Sequence, residues 1–479
     1  MAWVGSAVAA GQSSAPPGTP PTARTGSDGS PVAAQVSGPV SVGPSAGSFQ
    51  GSVTRGRVSP QPLNLSLDDA IQRGLQTNLG IILSGTQTAA ARGQQLSRLQ
   101  SLLPSVKFMA NESVQQVDLA AEGFRLPHFP TMIGPFGYTD LRAYLNWSVA
   151  DLSSLHDYLA ARHSFNAAQL SAQDARDLVV LTVGNAYMLA LADRGRVTSV
   201  EAQVATAKVS LDQAVANHQA GTAPLLDELR ARVDYQSLQQ QLIVSRDSLQ
   251  KDKLALARTI GLPLGQEFHL SDTTPYSVFD NIDLKALINQ AETNRKDLAA
   301  LVQQAAAAEE ARKAATAARY PALGISTDYG DIGVTLGHSH GTFDAAGRVS
   351  VPVFKEYALR GQAKQAQAQL DTAQDQLSDK RAQVEADVRD ALLDIAASQQ
   401  QVEVARSSVQ LAHEELKEAQ ERYANGVSDN LAVSQAQQSV AQADDQYVVS
   451  LYRNNVAKLS LARALGAAQD YRKYLGQKP

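Results

Sequence analysis

The residue types able to bind a metal, move a proton or attack a carbonyl are few in this chain and poorly grouped. His338 and His340 flank a single serine, a spacing two imidazoles can use on one metal ion, but no cysteine or adjoining carboxylate completes a ligand set. A protein metal site needs three or four converging ligands, so the pair reads as loop histidines. Asp227 and Glu228 follow one glycine turn and Asp429 follows another. Carboxylates at such a place read as caps at the start of the next helix. Glu414, Glu415, Lys417 and Glu418 are ordinary decoration of an exposed helix. No glycine-rich phosphate loop, nucleophile elbow or zinc-helix signature occurs. The chemistry-bearing residues point away from an enzyme, and neither a cofactor nor a metal is expected.

Composition narrows the partners. The 479 residues carry 42 basic and 47 acidic side chains, a net charge of −5, which leaves no basic footprint for nucleic acid. With no cysteine there is no disulfide and no lipidated N-terminal cysteine. No unbroken apolar run reaches the length of a membrane-spanning helix, whereas membrane-spanning strands would leave no such run. Residues 1–62 are read as a signal-peptide remnant, Met1 to Ala10, followed by a Pro, Gly and Ser-rich arm too poor in large apolar residues to offset the entropy of ordering.

From Asn64 onward the chain reads twice. Gly221 and Gly426 lie 205 residues apart, and so do Gly261 and Gly466, so the two glycines of each copy are separated by 40 positions. Thr77 and Asn78 match Thr293 and Asn294, and Pro104 matches Pro321, in the same order. Residues 63–270 form the first repeat, residues 271–470 the second, and 471–479 a C-terminal tail. Two copies of one unit suggest one pseudo-symmetric domain in which each copy completes the other's core.

Seven-residue spacing predicts a long coiled-coil helix ending near each first glycine. In the second copy Leu370, Leu377, Val384 and Ala391 keep the step, which then slips by four to Ile395, Val402, Val409, Leu416 and Tyr423. Phe165, Ala172, Val179 and Ala186, then Ala190, Val197, Val204, Leu211 and His218, repeat the slip in the first copy. A four-residue insertion relaxes left-handed supercoiling, so both helices should run straight. Each spans on the order of 100 Å at 1.5 Å per residue. The chain returns through 225–260 and 431–465, about half as far, and single helices at 67–102 and 283–319 supply the other half if stacked end to end.

Between short and long helices the period changes to two. Leu141, Ala143, Leu145, Trp147 and Val149 alternate with Asp140, Arg142, Tyr144, Asn146 and Ser148. Similar patterns at 106–111, 323–329 and 348–353 give four strands of about ten residues, the length of a tilted membrane strand. They make two hairpins with long loops at 115–139 and 330–342. Trp147 either belongs to an interfacial aromatic girdle or packs in a core. Four strands cannot close a barrel, and lipid does not tolerate open edges, so closure must come from other copies.

The paired turns Ala220-Gly221-Thr222-Ala223 and Asn425-Gly426-Val427-Ser428, each 40 residues ahead of a Leu-Ala-Arg-X-(Ile/Leu)-Gly motif, resemble the TolC family of outer-membrane efflux proteins. The helix start at Leu65 to Ala70 and the entry into the strands at Pro104 support the resemblance, which covers residues 63–470. It implies a mainly α chain with a four-stranded β part. It further implies a homotrimer whose twelve-stranded barrel lies in outer-membrane lipid and continues as a helical tunnel into the periplasm. It implies docking to a periplasmic adaptor and an inner-membrane pump. It assigns aperture and adaptor contact to Gly221, Thr222, Ala223, Leu225 and Leu226, and to Gly426, Val427, Ser428, Asn430 and Leu431. The best-known members place two aspartates after the second turn, where this chain has Ala432 and Gln435. Any acidic constriction would therefore use Asp227, Glu228 or Asp429. The function expected is a passive exit duct for efflux or type I secretion. A periplasmic coiled-coil adaptor or scaffold is the alternative, and it leaves the strands unexplained. A strand-inserting toxin or adhesin would need a receptor-binding module that the sequence does not display.

Overall fold

The computed structural model describes residues 46–121, 123, 130–279, 283–428 and 430–476. After a short 3-10 turn at Ala46–Gln50 come β1 (Leu63–Leu65), α1 (Leu67–Thr77), α2 (Leu79–Gln100), β2 (Ser105–Asp118), β3 (Met132–Ala150), α3 (Leu152–Gln219) and α4 (Leu225–Thr259). Then follow β4 (Phe268–Leu270), α5 (Leu284–Asn294), α6 (Lys296–Ala317), β5 (Ala322–Gly333), β6 (Ser339–Ser350), α7 (Glu356–Ala424), α8 (Asn430–Ala464) and α9 (Tyr471–Leu475).

Helix lengths follow a simple rule. The 68 residues of α3 face the 11, 22 and 35 residues of α1, α2 and α4; the 69 of α7 face the 11, 22 and 35 of α5, α6 and α8. The seven-residue seam of α7 is buried at Leu370, Val384, Ala391, Ile395, Val402 and Tyr423. In α3, Val179, Ala190 and Val197 are buried in the same way. One 18-residue window of α3 is apolar enough on average to cross a membrane, although no unbroken apolar run occurs there; 61% of it is buried inside the molecule.

The expected single helices at 67–102 and 283–319 are each broken in two. Asn78 has extended backbone angles and accepts a hydrogen bond from the Gly80 amide at 2.9 Å, so it caps α2 in the middle of the apolar pattern. Arg295 makes the equivalent break between α5 and α6. The glycines ending the returning helices sit against these breaks. At Gly261 (φ +69°) a Cβ would lie 2.7 Å from Thr77, and at Gly466 (φ +66°) 2.8 Å from the Arg295 backbone nitrogen. The left-handed turn lets Leu262 and Ala467 donate to Ala257 and Ala462, satisfying carbonyls left free at the helix ends.

Two departures from the sequence reading involve the ends of the chain. Residues 46–62, expected within the disordered arm, are held at the first break. Phe49 is buried against Gly80, the Asn78 side-chain amide donates to the Phe49 carbonyl at 2.7 Å, and the Val53 amide donates to Thr77 at 2.9 Å. One large apolar side chain plus the free backbone groups of a helix break is enough to order a segment of poor composition. The proposed signal remnant and the rest of the arm, 1–45, lie outside the described residues. The expected tail contains α9, whose Tyr471 and Leu475 enter the core built on Leu65, Val183 and Leu256, while Tyr474 enters the core built on Val388, Ile395 and Leu461. Arg472 pairs with Asp68 at 2.5 Å.

β1 and β4, which the periodicity analysis missed, pair in parallel from Leu63↔Phe268 to Leu65↔Leu270. β2, β3, β5 and β6 form one antiparallel sheet in that order. At 14, 19, 12 and 12 residues they are longer than the expected ten and occupy much of the supposed loops. Val351 and Val353 lie beyond the end of β6.

Buried charge ties the helices together. Arg463 of α8 meets Asp174 of α3 at 2.5 Å and Asp297 of α6 at 3.8 Å, while Arg295 meets Asp297 at 2.7 Å and Asp387 of α7 at 2.5 Å. Burial opposes ionisation of Asp297, but hydrogen bonds from Arg295 and Lys380 outweigh it and hold the carboxyl well below the usual range. At Asp174 burial dominates and pushes the carboxyl up to about 6, against the pull of Arg463. Lys458 of α8 is 0% exposed and donates to the Ser277 carbonyl and hydroxyl. Burial lowers its ammonium from the ordinary 10.5 to about 8.

Two outcomes are expected. Gly261 and Gly221 share the left-handed backbone, but nothing lies within 4 Å of a Cβ at Gly221. G221A should therefore cost only the conformational strain, ~1–2 kcal/mol, and G261A clearly more; thermal denaturation in detergent reads the difference. For Lys458, the unfolded chain holds more protons than the folded one between pH 8 and 10.5, so this residue makes stability rise with pH across that window. K458M should remove this rise between pH 8 and 10.5, read from denaturation midpoints against pH.

Candidate channel wall and aperture

The four-stranded sheet segregates its side chains by face. The register Phe108↔Ala143, Ala143↔Tyr329 and Tyr329↔Phe343 puts one apolar row across all four strands. A second row runs Val106, Leu145, Thr327 and Ala345. This face is bare: Phe108 is 71% and Phe343 77% exposed. From Leu323 to Tyr329 this band runs roughly 20 Å along β5 at 3.3 Å per residue, and the carboxylate of Asp331 ends it on the same face.

The opposite face is polar and internally paired. Arg142 on β3 reaches Asp140 at 3.2 Å, Asp328 on β5, and the Thr342 hydroxyl on β6 at 3.1 Å. Asp328 stands directly across from Asp344. Two carboxylates so placed repel, and the Arg142 guanidinium beside them offsets this. Such a face suits water.

Trp147 belongs to the apolar face, opposite Ile325, near the end of the sheet where the helices begin. The side chain is 39% exposed, and its indole N–H donates to the Leu102 carbonyl just beyond α2 at 3.1 Å. The polar handle is thus spent on the protein, while part of the ring stays open.

At the far end of the helices the two turns have matching hydrogen bonds. The amides of Gly221 and Thr222 donate to His218 and Asn217, and those of Gly426 and Val427 to Tyr423 and Arg422. Both glycines have positive φ, +73° and +71°, which permits the reversal. The Thr222 hydroxyl also donates to Asn217, and the Ala223 amide to the same carbonyl. Leu225, Leu226, Val427 and Leu431 are exposed at these tips, whereas Asn430 is buried. Ser428 closes the second turn.

The candidate acidic residues are not free. Asp227 is buried and lies 3.9 Å from Arg230; Glu228 accepts a hydrogen bond from Arg232 at 2.7 Å. Sequence reasoning overlooked these arginines, although their i+3 and i+4 spacing on one helix was the available signal. Asp429 lies outside the described residues. His338 Nδ1 sits 3.2 Å from the Thr335 hydroxyl and His340 pairs with Ile332 across the hairpin. Among the described residues no group of three His, Cys, Asp or Glu side chains could hold a metal ion.

Comparison with known proteins places this geometry. A family model described as outer membrane efflux protein matches residues 71–262 and 287–467. The chain is 24% identical over 315 residues to the pyoverdine export outer membrane protein OpmQ of Pseudomonas putida, covering 64% of this chain and 66% of that protein. It is 21% identical to the probable efflux pump outer membrane protein TtgC of Pseudomonas putida, over 84% of this chain and 83% of the other. Among solved structures, the outer membrane protein VceC of Vibrio cholerae aligns with a TM-score of 0.74 at 21% identity, covering 84% of this chain and 96% of that one. The CmeC outer membrane channel of Campylobacter jejuni aligns with 0.74 at 16% identity, over 89% and 95%. With its two family matches spanning both halves and a mainly helical fold carrying one small two-faced sheet, the chain belongs to the outer membrane efflux protein family.

Proposed function

We propose that this protein is the exit duct of an efflux or secretion assembly, working as a homotrimer. Three copies of the four-stranded sheet close into one twelve-stranded barrel in the outer membrane, and the helices of the three copies continue it as a periplasmic tunnel. The observation that carries the reading is the sheet itself. It is bare and apolar on one face, polar and charge-paired on the other, and without a neighbouring strand at β2 or β6 among the described residues. Lipid covers the first face, cargo and water pass the second, and neighbouring copies satisfy the edges. The order helix, helix, strand, strand, long helix, returning helix, present in both 63–270 and 271–470, supports two structural repeats.

In this reading the duct is passive and its periplasmic end is the gate. The tips at Gly221, Thr222, Ala223, Leu225 and Leu226 and at Gly426, Val427, Ser428, Asn430 and Leu431 form the aperture and meet a periplasmic adaptor that links to an inner-membrane pump. Exposed leucines and valine beside rigid turns are what a helical hairpin of a partner can bury. Asp227 and Glu228, with Asp429, supply negative charge to the aperture, moderated by Arg230 and Arg232. Trp147 anchors the lower edge of the apolar band. The adaptor or scaffold alternative has no use for a bare apolar sheet.

Fractionation of the expressed protein tests the duct: it should sediment with outer membranes and run on gels as a heat-labile trimer, and a detergent-free monomer would overturn the reading. Single-channel recording in planar bilayers tests the aperture. E228A should lower the cation-over-anion permeability ratio and R232A should raise it, because each removes one partner of the same pair. Unchanged ratios in both would take Glu228 out of the constriction.

A further inference from the structure

Of all the asparagines in the chain, only Asn425 is followed by glycine. The pair makes the second turn, between α7 and α8. Asparagine before glycine is the arrangement most open to attack by the following backbone nitrogen on the side-chain amide, because no Cβ shields that nitrogen. Elsewhere the next residue is bulkier, as Leu79 after Asn78 and Leu431 after Asn430, and those asparagines are buried, as are Asn454 and Asn455. The first turn has Ala220 in the matching place, and its nearest asparagine, Asn217, precedes His218.

The site lies open to water. Residues 424–427 are all exposed, and nothing lies within 4 Å of where a Cβ would stand at Gly426. Few bonds hold the turn shut. The backbone and side-chain amides of Asn425 both donate to the Glu421 carbonyl, at 3.1 and 2.8 Å, the Gly426 amide donates to Tyr423 at 3.1 Å, and the Val427 amide to Arg422 at 2.9 Å. While these bonds stand, the Asn425 side chain is turned back to Glu421 and the Gly426 nitrogen is occupied. A turn with exposed bonds at the end of a rod opens far more often than the whole molecule unfolds, and opening frees both reacting groups.

We infer that Asn425 is a site of self-modification, where the second tip converts its own asparagine into aspartate and isoaspartate as the protein ages. In the opened turn the Gly426 backbone nitrogen attacks the Asn425 side-chain carbonyl carbon, and a nitrogen–carbon bond forms. The bond from that carbon to Nδ2 breaks, and Nδ2 leaves as ammonia with the proton given up by the Gly426 amide. Water then opens the five-membered imide at either carbonyl, so one water is consumed, one ammonia is released and nothing is oxidised or reduced. The product loses the Nδ2 donor to Glu421 and gains a carboxylate beside the carbonyls that end α7, where negative charge is unfavourable. The last turn of α7 is thereby unfastened at one tip and not at the other. The inference stands apart from the exit-duct reading, and within that duct it adds negative charge to the second tip of each copy over time.

Full-length protein in detergent, held for days at mildly alkaline pH, tests the conversion through its tryptic peptide 423–453, released by cleavage after Arg422 and Arg453. Mass spectrometry should show Asn425 turning into two isomeric products, each heavier by the difference between a hydroxyl and an amino group, while Asn430 in the same peptide stays intact. A methyltransferase specific for isoaspartate should label the aged protein and leave aged N425Q unlabelled. An intact Asn425 in the folded protein, at a time when the same chain in denaturant has converted, would overturn the proposal, and so would conversion of Asn217 or Asn430 at an equal rate. N425D installs one product directly. Its Gly426 and Val427 amides should exchange with deuterium severalfold faster than those of the parent, and equal rates would remove the unfastening of α7.

Discussion

A sheet of four strands has two outer edges whose backbone groups must find partners, and in hydrocarbon water cannot supply them. That constraint governs the rest of this molecule. The apolar row through Phe108, Ala143, Tyr329 and Phe343 tolerates only an apolar medium, while the Arg142 cluster on the other face tolerates only a wet one. A surface of this kind cannot fold inward on itself, because one face or the other would be in the wrong solvent. In the proposed homotrimer, curving beside identical neighbours would keep both faces in the right medium and pair the edges.

The helices solve a related problem of length. A rod of 68 residues needs a partner along its whole extent, and a returning helix of 35 covers about half. Breaks at Asn78 and Arg295 and left-handed glycines at 261 and 466 let separate helices abut end to end without clash. Small side chains allow close approach: inside the core, a Cβ at Gly74 would lie 2.7 Å from Val183, and one at Gly184 2.9 Å from Leu459. Buried ion pairs then cross between rods. Asp297 receives Arg295, Lys380 and Arg463 from the chain segments around it, so loss of any one leaves a buried charge less compensated.

What the sequence disclosed was what repeats. The seven-residue seam from Leu370 to Tyr423 is a local pattern, and its residues are buried or half-buried as the spacing demands. The alternation through Leu141 and Trp147 disclosed a strand for the same reason. Asn78 and Arg295 stayed hidden because a cap inside an apolar pattern barely disturbs its period. The strand ends beyond Gly330 and Thr342 stayed hidden because glycine, serine and aspartate carry no alternation; there pairing with the neighbouring strand sets the conformation. β1 and β4 are too short for periodicity, and their contact spans two hundred residues. Of the aperture, the turns were visible in the paired glycines, whereas the buried state of Asp227 depends on how the helices pack and left no trace in the order of residues.

The last helix carries a consequence for how the molecule is made. Tyr471 and Leu475 fill one apolar interior and Tyr474 the other, and Arg472 returns to Asp68 at the opposite end of the chain. Neither interior is complete until residues 471–475 are in place. A nascent or truncated chain ending before residue 471 therefore keeps unfilled apolar surface in both halves, and such surface is what quality-control proteases and holding chaperones recognise. Residues 471–475 thereby lock the two halves of the molecule to one another.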